Sequence, residues 1–60
     1  MKTTYARVGD VVEFSFPNWD SKFTELAFIL EIDRVKGRIL VETGDGDVFY
    51  VSIRNVRDFA

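Results

Sequence analysis

From Val11 to Ile53 the chain runs in short stretches where apolar and polar residues alternate, each closed by turn-forming residues. Apolar side chains at every second position mark strands with one face buried, because successive side chains point to opposite sides of a sheet. Val11-Val12-Glu13-Phe14-Ser15-Phe16 predicts the first strand, with Val12, Phe14 and Phe16 on one face and Val11, Glu13 and Ser15 on the other. Pro17 is expected to end it, having no N–H for a ladder. A second strand is expected from about Thr24, with Ala27 and Ile29 on one face and Phe28 and Leu30 on the other. Glu31-Ile32-Asp33 then shifts back to polar-apolar-polar alternation, which suits a bulge or a sharp bend. The third strand sets Ile39 and Val41 against Leu40 and Glu42; the fourth sets Phe49 and Val51 against Val48 and Tyr50.

Lys36-Gly37 and Gly44-Asp45-Gly46-Asp47 are read as tight turns, glycine supplying the positive φ that two-residue hairpin turns demand. Val8-Gly9-Asp10 reads as a turn before the first strand, and Met1 to Ala6 as a leader ordered only if it pairs. After Ile53, Arg54-Asn55-Val56 suits one tight turn with Val56 inward, and Arg57-Asp58-Phe59-Ala60 a last short strand beside the first. No stretch repeats apolar residues at helical spacing over two turns, so no α-helix is expected. The pattern predicts one domain over residues 1–60: all-β, a small five-stranded antiparallel barrel, strongly bent, with a short 3-10 turn before the last strand.

Two features stay open at this level. The central strands are apolar on both faces. Either bent strands feed the core from both sides, or Phe28, Leu30, Leu40 and Tyr50 form an outer apolar patch of the kind that marks partner or self-association surfaces. Trp19 stands in a polar loop, Pro17 to Lys22. It either folds back to cap one end of the core or stands exposed as a binding anchor.

Composition narrows the chemistry. Sixty residues with 47% hydrophobic content can build a compact core without staples. With no Cys there is no disulfide and no thiolate metal site, and a cytoplasmic or otherwise intracellular home is the expectation. The longest apolar run, Leu26 to Leu30, falls far short of the roughly 20 residues of a spanning helix. With neither His nor Cys, Ser-His and Cys-His catalysis is excluded and no enzyme is expected. Glu42, Asp45 and Asp47 cluster at one turn, read as a solvated turn, or else as a weak Ca²⁺ site. The glycines stand at turns, so no phosphate loop is present. No metal and no cofactor is expected. Eight Lys and Arg against ten Asp and Glu give a formal charge of −2, which argues against tight non-specific nucleic-acid binding.

Three local patterns together resemble the SH3-like barrels, and within them the Tudor group. These are Val8-Gly9-Asp10 opening the first strand, Ala27-Phe28-Ile29-Leu30-Glu31-Ile32-Asp33 in the second, and Ile39-Leu40-Val41-Glu42-Thr43-Gly44-Asp45-Gly46 in the third strand and its turn. The turn from Ile53 to Val56 also has its counterpart there, and KOW-type barrels are similar in part. The resemblance spans about Val8 to Val56. It implies an SH3-like fold and recognition of methylated Lys or Arg in an aromatic cage by cation–π attraction. The cage positions carried over are Phe16, Glu25, Glu42 and Asp45; three of the four are acidic. Trp19, Phe23 and Tyr50 are the other rings from which a cage would be built.

The expected function is therefore a small non-enzymatic module recognising a protein or peptide through an aromatic and acidic surface. Its residues would be Phe16, Trp19, Asp20, Phe23, Glu25, Glu42, Asp45 and Tyr50, with Trp19 as anchor. The alternatives are a nucleic-acid-binding module using Arg34, Lys36, Arg38, Arg54 and Arg57, or a small acidic inhibitor of a nucleic-acid-binding partner. A homo-oligomer through Phe28, Leu30 and Leu40 is a further expectation. No membrane association is expected.

Overall fold

Alternation with period two forms strands, and the computed structural model, which describes residues 6–20 and 23–59, has five of them. They are β1 (Val11–Phe14), β2 (Glu25–Asp33), β3 (Arg38–Thr43), β4 (Val48–Ser52) and β5 (Val56–Phe59), with one 3-10 turn (Ile53–Asn55) between β4 and β5. All four pairings are antiparallel, in the order β4-β3-β2-β1-β5. Among the described residues no helix is long and apolar enough to cross a membrane.

One face of the sheet makes the core. Val12, Phe14, Ile29, Ile39, Val41 and Val51 are fully buried, with Ala6 and Ala27 beside them. These are the inward residues the alternation predicts. Phe16, Trp19, Ile32, Phe49, Ile53 and Val56 pack around them. A flat single sheet leaves both faces in water. Zero exposure of one face, in a body of 27 × 22 × 20 Å, requires the sheet to curl around that face.

The curl has a local cause in β2. Ile29 pairs with Val41 and Glu31 with Leu40, so Leu30 and Glu31 together oppose one residue of β3. Such a bulge bends its strand and raises its twist. It also resets the alternation. Leu30 and Glu31 are both exposed, while Ile32, three residues after Ile29, again packs on the core. The expected bend at Glu31 is this bulge.

Chain reversals close the pattern, with corrections. Both hairpin loops have four residues: Arg34–Gly37 between the Asp33–Arg38 pair, where Lys36-Gly37 alone was expected, and residues 44–47 between β3 and β4, as expected. Side chains hold them. The Lys36 N–H donates to Asp33 Oδ1 at 3.0 Å, and the Asp47 N–H to Thr43 Oγ1 at 3.3 Å. Gly37 and Gly46 take φ of +67° and +88°, where a Cβ is strained. The first strand stops at Phe14 and not at Phe16. The Ser15 N–H turns instead to the Asn55 carbonyl at 3.0 Å, and Ser15, expected on the outer face, is buried. The Val8-Gly9 turn is present and docks on β2: the Gly9 N–H reaches the Ile29 carbonyl at 2.7 Å, and the Ile29 N–H the Asp10 carbonyl at 2.9 Å. Val56 packs inward as expected, and β5 pairs with β1. The ladder does not continue from β5 to β4, so the sheet curls with its two edge strands unpaired to each other. Of the expected leader, Met1 to Ala6, residues Met1 to Tyr5 lie outside the described residues, as do Ser21, Lys22 and Ala60.

Truncating Phe14 removes the largest fully buried side chain. Phe14→Ala should cost about 3–5 kcal/mol, enough to unfold most of a domain this small. Leu26→Ala on the opposite face should change stability by less than about 1 kcal/mol. Urea denaturation of the two variants beside the parent checks both.

Candidate functional site

The expected site rings fall in two places. Phe16, Trp19 and Phe23 gather at the end of the sheet where β1 leaves it. Trp19 reaches the Phe14 ring at 6.1 Å between centroids and stands edge-on to Phe16 at 4.9 Å. Phe16 in turn meets Phe14 at 5.6 Å and Phe49 at 6.1 Å. The backbone makes this approach feasible: the Trp19 N–H donates to the Phe16 carbonyl at 3.0 Å, closing a turn over Pro17 and Asn18. Trp19 is thus half-buried and caps one end of the core. Phe23 lies edge-on to it at 5.1 Å and is 59% exposed. The rings form a graded stack from core to solvent. Edge-to-face pairs of this kind add about 0.5–1.5 kcal/mol each beyond burial.

Glu42 and Tyr50 are elsewhere, on the outer face. Strand alternation and register place Val11 and Glu13 of β1 there, with Leu26, Phe28 and Leu30 of β2, Arg38, Leu40 and Glu42 of β3, and Val48 and Tyr50 of β4. Leu26, Phe28, Leu30, Val48 and Tyr50 are all exposed, Phe28 by 52%. One row across the sheet reads Val11, Phe28, Glu42, Val48; the next pairs Leu40 with Tyr50. Of the two readings of the doubly apolar strands, the outer patch is therefore the one realised. The bend in β2 does not draw Phe28 or Leu30 inward.

Charge on this face is one-sided. Among the described positions of β1, β2 and β3 on this face, Glu13, Glu31, Asp33 and Glu42 lie on or beside the apolar residues, against Arg38 as the one cation. Arg38 is held where it stands. Its guanidinium carbon sits 3.9 Å above the Tyr50 ring centroid, and its Nε lies 3.8 Å from Asp33 Oδ2. That Nε is buried with no hydrogen-bond partner, so stacking on the ring is its main contact. The Glu13 carboxylate accepts a 2.8 Å bond from the Thr24 hydroxyl. Glu42 stands in the centre, between Phe28 and Val48.

The four positions expected of an aromatic cage do not converge. Phe16 belongs to the ring stack, Glu25 opposes Phe14 at the start of β2, Glu42 is on the outer face, and Asp45 is exposed in the β3–β4 turn. Asp20 lies in the loop before β2, its carbonyl accepting from the Phe23 N–H at 2.8 Å. Glu42, Asp45 and Asp47 form no metal-binding group, and no other set of three such residues does so among the described residues. Leu26 and Val48, which enlarge the outer patch, were not singled out by sequence reasoning. Their place in the alternation beside Phe28 and Tyr50 was the available signal. No family model, curated protein or solved structure matches this chain.

Trp19→Ala should lower the unfolding free energy by about 2 kcal/mol, roughly half the cost of a fully buried ring. A urea midpoint equal to the parent's would show that the ring is a surface anchor and not a cap.

Proposed function

We propose that the chain is a non-enzymatic binding module, an SH3-like barrel in fold, whose outer β2–β3–β4 face docks a protein segment that is apolar and basic. The strand order and the 3-10 turn before the last strand support the reading of the fold. The absence of His and Cys from the sequence supports the non-enzymatic reading.

One observation carries the docking surface: exposed Leu26, Phe28, Leu30, Val48 and Tyr50 form one face with carboxylates as its surplus charge. An apolar face of this extent favours coverage. Its charge decides what covers it. A second copy docked through a two-fold axis would bring like patches together, Glu42 near Glu42 and carboxylate rim on carboxylate rim, which is unfavourable when desolvated. A partner with Lys or Arg among apolar residues meets no such penalty. Glu42 would pair with a partner cation, with Phe28 and Tyr50 as the large contact rings. In this reading Trp19 supports the domain rather than the ligand.

The test is affinity capture with the parent, Phe28→Ala and Glu42→Lys, each verified as folded. One basic partner should be retained by the parent and lost by both variants, Phe28→Ala weakening it by about 2 kcal/mol. Retention of the same partner by both variants would rule out this face. Capture of an acidic partner that Glu42→Lys strengthens would overturn the charge assignment.

A further inference from the structure

The ladder between β3 and β4 fixes which backbone groups of β4 are left over. Antiparallel strands alternate residue pairs that exchange hydrogen bonds with pairs that do not. The Thr43 N–H donates to the Asp47 carbonyl at 2.9 Å at one end of this ladder, and the Ile53 N–H to the Gly37 carbonyl at 2.9 Å at the other. Between them the register runs without a shift, Val41 opposite Phe49 and Ile39 opposite Val51. These odd-numbered pairs are therefore the bonded ones. The N–H and C=O groups of Val48, Tyr50 and Ser52 point the other way, along the outer edge of the sheet, where no described strand pairs with them. The Val48 and Tyr50 side chains are exposed as well.

The two edges of the sheet are not alike. β5 carries Arg57, Asp58 and a break in register, the usual means of blunting an edge against pairing. β4 has no charge, no proline and no bulge. Charge stands instead at its ends, with opposite signs. Glu42 is opposite Val48, and Asp45 and Asp47 lie in the turn before it. Arg38, with Asp33 beside it, is opposite Ser52, and Arg54 follows two residues on. The bond between Gly37 and Ile53 brings the loop of Arg34 and Lys36 to that same end.

We propose that β4 pairs with β4 of a second copy of this chain, antiparallel and centred on Tyr50. A two-fold axis there sets Tyr50 against Tyr50, and Val48 against Ser52 of the second copy. Each outward N–H and C=O on one edge then meets its complement on the other. The same rotation lays the acidic end of one strand beside the basic end of the other, and makes the two Tyr50 rings cross-strand neighbours. The pairing joins two sheets edge to edge and leaves Phe28, Leu30 and Leu40 uncovered, unlike a dimer through the outer face. Only strand edges meet, so the interface belongs to the small and weak class.

Ser52 provides the test. Its φ of −64° is already that of proline, and its side chain makes no cap hydrogen bond. The residue before it, Val51, is extended, as a residue preceding proline must be. Ser52→Pro therefore removes an edge N–H and sets a ring against the incoming strand while keeping the fold. Sedimentation equilibrium and amide hydrogen exchange of the full chain are read at about 50 µM and about 1 mM, on either side of an expected dimer Kd of about 0.1 mM. The Tyr50 and Ser52 amides should exchange about threefold more slowly at the higher concentration, because dimer dissociation must precede exchange. The Phe49 and Val51 amides, already bonded to β3, should not change. Ser52→Pro should stay monomeric with a urea midpoint no lower than the parent's. Val48→Lys, which puts a cation at the acidic end, should weaken the dimer about tenfold or more and carries the test if Ser52→Pro unfolds. Phe28→Ala should dimerise as the parent does. A parent monomeric throughout, edge amides that exchange alike at both concentrations, Ser52→Pro (if folded) or Val48→Lys dimerising as the parent does, or a dimer broken by Phe28→Ala would each overturn the proposal.

Discussion

A single sheet must hide one of its faces without a second layer to hide it against. That constraint governs this protein. The inner residues Val12, Phe14, Ile29, Ile39, Val41 and Val51 reach zero exposure only because the sheet folds over them. Curling needs a strand that turns a corner, and β2 does so at Leu30–Glu31. The bulge lets one nine-residue strand pair with β1 along its first half and stay paired with β3 to its far end. The aromatic stack of Phe14, Phe16, Trp19 and Phe23 then plugs the end where β1 leaves the ladder.

The same geometry shapes the surface. Curling inward spends one apolar face and turns the other outward, so Phe28, Leu30 and Tyr50 meet water because Ile29, Ile39 and Val51 do not. Nothing in the core requires apolar residues there. Carboxylates frame that outer face, whereas the 3-10 turn gathers arginines at another part of the molecule. The chain is therefore polarised despite a net charge of only −2.

Much of the fold was legible because the alternation is local. The in-and-out assignments along β2, β3 and β4, the bend near Glu31 and the inward Val56 all follow from side-chain periodicity. The end of β1 did not, because the Ser15 N–H is claimed by Asn55, forty residues later in the chain. The first hairpin loop was read two residues long because glycine marks positive φ but does not count the residues before it; Asp33 sets the length through its side chain. The candidate site was less legible for a related reason. Phe49 and Tyr50 are neighbours in sequence but lie on opposite faces, one beside Phe16 and the other under Arg38. Residue type alone grouped Tyr50 with Trp19; the pleat separates them.

Deleting Leu30 tests the central claim most directly. The deletion removes the extra residue yet keeps Ile29 and Ile32 facing inward, so it abolishes the bend without disturbing the hydrophobic pattern. The expected result is loss of the cooperative urea transition, while Leu30→Ala, which keeps the backbone and trims an exposed side chain, unfolds within about 1 kcal/mol of the parent. A Leu30-deleted chain that unfolds cooperatively at the parent's midpoint would contradict the account, because the core would then be buried without the bulge.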